Sequence, residues 1–263
     1  MAQRSSKNEP GPFQADQLRD GDRYELSHGH PIYCAPSGRE HAGRSLTGAA
    51  VLETDPDVEW AGIDAGFSPE PGTLRAPDVA IAAAGQEQGW IPGVPPLAVE
   101  YAGPGQDEEE LQLKSAELLQ NGTQQVWVVR LVGPRRVEVH RLDQPPRRLG
   151  PGEALRAPGL LRNAVPVEAL YDREAGHRAV LRNLLQREGY EDIEAIRDEG
   201  IAEAILALLV GRGLAVEEAI RARILACRDR DQLKTWLLAA ARVDDPSRLF
   251  DGDPSPNPAM CSE

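Results

Sequence analysis

The sequence predicts an α+β fold: a central mixed β-sheet flanked by helices, followed by an extension built only of helices. Three observations predict it. Short apolar runs bounded by Gly and Pro, in LRAPDVAIAAA, PPLAVEY, QQVWVVRLVG and RRVEVHRL, have the length and alternation of strands. An amphipathic helix, DEEELQLKSAELLQNG, stands between the second and third, so the chain crosses over and returns to the sheet. From about residue 174 onward only helical patterns remain.

Residues 1–15 are polar and read as loose. DRYELSHGHPIYCA reads as a hairpin, with Tyr24 and Leu26 before a His-Gly turn and Ile32 and Tyr33 after it. REHAGRSLTGAAVLE is a weakly amphipathic helix whose stripe would be Ala42, Leu46, Ala49 and Leu52, with Gly43 and Gly48 weakening it. Strands are expected over about 78–83 and 97–101, separated by a Gly/Pro-rich loop. In the next helix the leading acidic residues complement the helix dipole, and Gly122 is a natural stop. Two more strands follow, joined by a Gly133-Pro134 turn. EAGHRAVLRNLLQREG, GIAEAILALLVGRG, AVEEAIRARILAC and DQLKTWLLAAARV then predict a small bundle; Ile201, Ile205, Leu208 and Leu209 share a face, as do Leu233, Trp236, Leu237 and Ala240. The last residues are rich in Pro and Asp, lack periodicity, and read as disordered. The expected domains are therefore 16–165, 172–243 and a tail over 244–263.

Composition narrows the function classes. No apolar run approaches the roughly 20 residues that span a bilayer, and MAQRSSKNEPGPF has no signal-peptide core, so the expected location is the cytoplasm. Cys34, Cys227 and Cys261 lack ligand spacing, which argues against a disulfide framework or a zinc site. The net charge of −13 weighs against easy nucleic-acid binding, because phosphate affinity comes largely from Lys and Arg. A local basic surface remains compatible with it, since acidic residues crowd at 108–110, in the last helices and in the tail.

Three residues stand out against this background: Asp78, Glu100 and Lys114. Both carboxylates lie in runs that read as buried strands, where an unpaired charge is costly. Alternation puts Asp78 on a face with Ala80 and Ala82, and Glu100 on a face with Ala98. Small neighbours leave room for a hydrated ion, and Mg²⁺ is commonly held by one or two carboxylates plus water and phosphate oxygens. The main-chain carbonyl of Tyr101 is a candidate third ligand. Lys114 lies at the edge of the stripe marked by Leu111 and Leu118 and can lean toward the sheet, to orient a water or stabilise phosphate charge. Glu25 is a further candidate carboxylate from the hairpin. Each residue alone has a plainer reading: Pro-Asp as a strand start, Glu100 at an edge, Lys114 paired with Glu110, Glu25 on the surface. His41 reads as a cap or surface residue; His28, His30, His140 and His177 show no ligand spacing.

The ordered segments YELSHG, EHA, LRAPDVAIA, PPLAVEYAGPGQ and KSAELLQNGTQQVWVV, over roughly 20–142, resemble the Uma-two family of restriction endonucleases in the PD-(D/E)XK superfamily. The resemblance implies a restriction-endonuclease-like core, with Asp78 and Glu100 as metal ligands and Glu25 nearby. It also implies Lys114 as a catalytic lysine displaced from the strand onto the helix. Gly103, Leu118 and Arg130 depart from the serine, tyrosine and acidic residue common in that family.

The expectation is thus a Mg²⁺- or Mn²⁺-dependent endonuclease that hydrolyses DNA with an activated water. A structure-specific RNA nuclease stays open. So does a non-enzymatic protein of nuclease fold, forming a homodimer or binding a protein partner through its last helices.

Overall fold

The computed structural model describes residues 11–85, 88–105 and 107–251; the expected loose N-terminus falls largely, and the tail partly, outside these. In chain order the first unit contains the hairpin β1 (Tyr24–Ser27) and β2 (His30–Tyr33), helix α1 (Arg39–Glu53), then β3 (Trp60–Gly62), β4 (Phe67–Ser68), β5 (Val79–Ala82), β6 (Ile91–Pro92) and β7 (Leu97–Ala102). Helix α2 (Glu108–Gln120), strands β8 (Gln125–Arg130), β9 (Arg136–Arg141), β10 (Gln144–Leu149), β11 (Ala154–Leu155) and β12 (Val165–Pro166), and helix α3 (Arg173–Arg187) complete it. A second unit begins at Glu188 and holds α4 (Ile193–Gly211), α5 (Glu218–Ala226) and α6 (Arg230–Ala240).

Six strands form one mixed sheet in the order β10-β9-β8-β7-β5-β3. All pairings are antiparallel except β7 with β8, the pair that α2 connects. A parallel pair requires such a crossover. Every residue of β7 is buried, because both faces of this central strand are covered. Leu97, Val99 and Tyr101 join Val79, Ile81, Trp127 and Val129 against Val51 and Leu52 of α1. Ala98 and Ala102 turn the other way, with Val126 and Val128, against Leu111 and Leu118 of α2. Burying each such aliphatic side chain contributes about 1.5–3 kcal/mol. The fold class is as expected.

Several local expectations are corrected. On α1 the buried face is Ser45, Gly48, Ala49, Val51 and Leu52, while Ala42 and Leu46 are exposed. Gly48 is required rather than tolerated, since a Cβ there would collide with the Tyr101 hydroxyl. β10 escaped prediction because of Pro145 and Pro146; it lies at the sheet edge with a register shift at those residues, where prolines do no harm.

Helix α3 falls within the first compact unit. The side chain of Asn183 donates to the Val51 carbonyl at 3.0 Å, and Arg187 donates to the carbonyls of Glu53, Thr54, Asp55 and Val58 at 2.8–3.0 Å, capping the end of α1. α4 begins at Ile193, eight residues ahead of the periodic apolar run (201 − 193), because Asp192 caps it by accepting the Ala195 N–H at 2.9 Å. Within the expected tail, Pro246–Phe250 form a 3₁₀ turn. There Leu249 is buried and Phe250 sits edge-on to Trp236 with centroids 5.0 Å apart. The core of the second unit is Ala202, Ile205, Leu209, Ile224, Leu233, Trp236 and Leu249. Among the described residues no helix is long and apolar enough to cross a membrane.

Candidate active site

The pairing of Val79 with Val99 and Ala80 with Ala98, extended one step, sets Asp78 level with Glu100 across β5 and β7. Asp78 precedes the strand proper. Its Oδ2 accepts the Tyr101 N–H at 2.6 Å, and its Oδ1 lies 3.0 Å from Nε2 of His41 at the start of α1. Hydrogen bonding to Asp78 raises the His41 pKa above its ordinary value, against the opposing pull of burial. The imidazole also packs edge-on to the Tyr101 ring, 6.0 Å between centroids.

Glu100 is buried on β7. Burial pushes its pKa up to about 8; the Lys114 charge opposes this, while Asp78 and Glu25 add to it. Lys114 reaches across from α2, with Nζ 2.9 Å from Glu100 Oε1 and 2.9 Å from Glu25 Oε1, and donates to the Ala76 carbonyl at 2.7 Å. One ammonium proton is thus directed to a carbonyl, and the two carboxylates are held as ion pairs. Burial alone would pull the lysine pKa down, but Glu100, Glu25 and Asp78 together hold it above its usual value. Lys114 is therefore a charged lysine with defined partners.

Behind this layer lies Arg75, 1% exposed. Its Nη1 donates to Glu25 Oε2 at 3.1 Å and Glu110 Oε1 at 2.8 Å, and its Nε donates to Glu117 Oε2 at 2.6 Å. Glu117 in turn accepts the Ser27 hydroxyl. Such charge-assisted bonds fix the carboxylates that flank the lysine. The Arg75 Nη2 is buried with no hydrogen bond of its own. Asp64, at φ 52°, feels the same field: burial first and the Asp78 charge second raise its pKa. Burial and then the Glu25 charge push the Cys34 thiol up to about 11, which disfavours its thiolate.

The structure brings Glu25, Glu100 and Lys114 into direct contact and connects Asp78 to them through the Tyr101 backbone. The plainer readings of Glu25 as a surface residue and of Lys114 as the partner of Glu110 do not hold: Glu25 is buried, and Glu110 pairs with Arg75. His41, read as a cap, is instead the partner of Asp78. Arg75, Glu117 and Asp64 carried no sequence signal, apart from the oddity of an arginine inside LRAPDV.

Among the described residues no group of three or more His, Cys, Asp and Glu is placed to hold a metal ion. A two-carboxylate set nevertheless suits a cation that keeps most of its ligands as water and phosphate oxygens. Glu100 Oε1, buried and without a directional hydrogen bond despite the nearby ammonium, has the character of a ligand atom. Asp78, Glu100 and the Tyr101 carbonyl are the groups available for one.

The protein is thus a helix-flanked mixed sheet, with Asp78 and Glu100 level across β5 and β7 and Lys114 reaching in from α2. Residues 13–168 match the model of the Uma2 family, described as "Putative restriction endonuclease", and the chain belongs to that family. A crystal structure described as "a putative nuclease belonging to DUF820", from Anabaena variabilis ATCC 29413, shares the fold with a TM-score of 0.51 and 18% identity. The similarity covers 62% of this chain and 99% of that one. No curated protein matches the chain.

Proposed function

We propose that the chain is a Mg²⁺- or Mn²⁺-dependent endonuclease that hydrolyses DNA phosphodiester bonds by attack of water. The observation that carries this reading is Lys114, which reaches from α2 to both Glu25 and Glu100. Asp78, Glu100 and the Tyr101 carbonyl would hold the ion. When bound, such an ion lowers the pKa of its water and offsets charge that grows on the phosphate. The chain's own residues then have separate tasks. His41 holds Asp78 in place through Oδ1. Lys114, kept charged by its carboxylate neighbours, turns an N–H toward the attacking water or a phosphate oxygen when Glu100 engages a ligand. Glu25 anchors the same ammonium from the opposite side, and Arg75 anchors Glu25. The substrate would be met in the cytoplasm.

A second reading, a non-enzymatic protein that pairs with itself or another protein through its last helices, is favoured by the −13 net charge. It is also favoured by Val210, Leu225 and Leu238, exposed at 57%, 39% and 70%. One assay separates the two. Plasmid and single-stranded DNA are incubated with Mg²⁺ or Mn²⁺ and wild-type protein, with and without EDTA, beside Asp78→Ala. Cleavage should fall by about 10² or more in the variant and vanish with EDTA, as expected for loss of electrostatic stabilisation. Activity that survives both would overturn the metal assignment. No wild-type cleavage, with no heat of Mn²⁺ binding in calorimetry, would favour the interaction protein.

A further inference from the structure

A second charged site lies away from the carboxylates. The β9–β10 edge and the segment around β11 enclose a hollow of about 280 Å³. Arg141, Arg147 and Arg156 line it, and no acidic residue does. None of the three guanidinium groups has an ion-pair partner among the described residues, and all three residues are exposed. Another hollow, about 430 Å³, differs: there Glu168 and Asp172 balance Arg178 and Arg182. Three like charges gathered around one space repel one another, and an anion would relieve that repulsion. In a chain of net charge −13, such a gathering is against the general trend.

Register places this hollow with respect to the candidate active site. Arg147 pairs with Val139, which packs in the α1-side core, and Arg141 has the same strand parity. Glu138 lies between them in parity, opposite Val128, and Val128 is opposite Glu100. Arg141 on β9 and Arg147 on β10 thus belong to the face of the sheet opposite Glu100, with β8 between them and β7, and Arg156 joins them from just after β11.

The lining suggests the ligand class. Guanidinium forks match phosphate oxygens bidentately. Leu149, Leu155 and Pro145 supply an apolar wall beside them, and Gln144 supplies an amide. A volume of about 280 Å³ is at the small end of ligand pockets, near one nucleotide unit rather than a duplex. We propose that Arg141, Arg147 and Arg156 form a phosphate-binding site for a nucleotide unit, separate from the Asp78–Glu100–Lys114 site. The phosphate belongs either to a free nucleotide or to a nucleic-acid strand, and the experiment distinguishes the two.

The probes are AMP, followed by calorimetry, and a short fluorescein-labelled single-stranded oligonucleotide, followed by anisotropy. Both are used with EDTA present, so that binding is read without cleavage. Full-length wild type is compared with the R141Q/R147Q/R156Q triple variant. A charge-matched control replaces the exposed Arg19, Arg173 and Arg197 with Gln. For a strand, the triple variant should bind the oligonucleotide about tenfold or more weakly, and the salt slope should fall by about two, at about 0.7 for each phosphate no longer neutralised. AMP should then neither bind nor compete. For a free nucleotide, AMP should bind the wild type and lose that binding in the triple variant. The control should match wild type in either case. Equal losses in triple variant and control, or no binding of either probe by the wild type, would overturn the site. Binding that depends on these arginines in a protein that never cleaves DNA would uphold the site and sink the nuclease reading alone.

Discussion

The two faces of the central sheet are covered in different ways, and each cover has its own consequence. On the α1 side the contact beyond His41 is mainly apolar: Val51 and Leu52 meet Val79, Val99, Tyr101 and Trp127. On the α2 side the apolar contact of Leu111 and Leu118 is interrupted by Lys114 and Glu117, which meet Glu25, Arg75 and Glu100. Hydrophobic packing tolerates substitution by small increments. A buried charge network does not, because each member removed leaves another charge uncompensated. The α1 face supplies stability, and the α2 face holds charges at fixed positions.

The sharpest break of this contrast is Arg75→Met. It leaves Glu110 and Glu117 without their arginine and Glu25 with Lys114 alone, and should cost about 3–5 kcal/mol in urea unfolding. Adding Glu117→Gln should return part of that loss, with a coupling of about 0.5–3 kcal/mol. A neutral Arg75→Met would mean that the network is not what holds the α2 face.

On the other face the corresponding change is steric. Gly48→Ala should cost about 1–3 kcal/mol through overpacking against the Tyr101 hydroxyl. In a Tyr101→Phe background the cost should shrink, since the colliding oxygen is gone. Equal costs in both backgrounds would point to the helix backbone instead.

The smallest effect is expected at the rim, where Glu108 meets Arg130 through paired bonds of 2.6 and 2.8 Å. The Arg130 hydrogen bonds hold the Glu108 carboxyl down at about 2. A carboxylate depressed in the folded state stabilises above its unfolded value of about 4.3, and that stability is lost as pH falls toward about 2. The pair is half-exposed, so the contribution is under about 1 kcal/mol. Glu108→Gln should therefore differ slightly from wild type at neutral pH, and the gap should close as acid is added. A gap that widens in acid would contradict the pairing.

How much of this was legible in the sequence depended on whether the signal was local. LAVEY declares a buried strand with one misplaced charge, and two leucines on DEEELQLKSAELLQ fix which side of the helix faces inward. That was enough to single out Asp78, Glu100 and Lys114. Arg75 and Glu117 were not legible, because their meaning is a contact between residues 42 apart. His41 was hidden for the same reason: a histidine at a helix start is unremarkable until Asp78 is beside it. β10 was masked by prolines that only an edge position permits.

The three polar contacts of the Lys114 ammonium go to Glu25, Ala76 and Glu100, which belong to three separate stretches of chain. The site therefore cannot exist in any partial fold that lacks one of them. During synthesis the acidic residues emerge first, and the lysine that joins them comes only with α2. Whatever chemistry this centre performs is thereby withheld from a growing chain until α2 has been made and the sheet has closed against it.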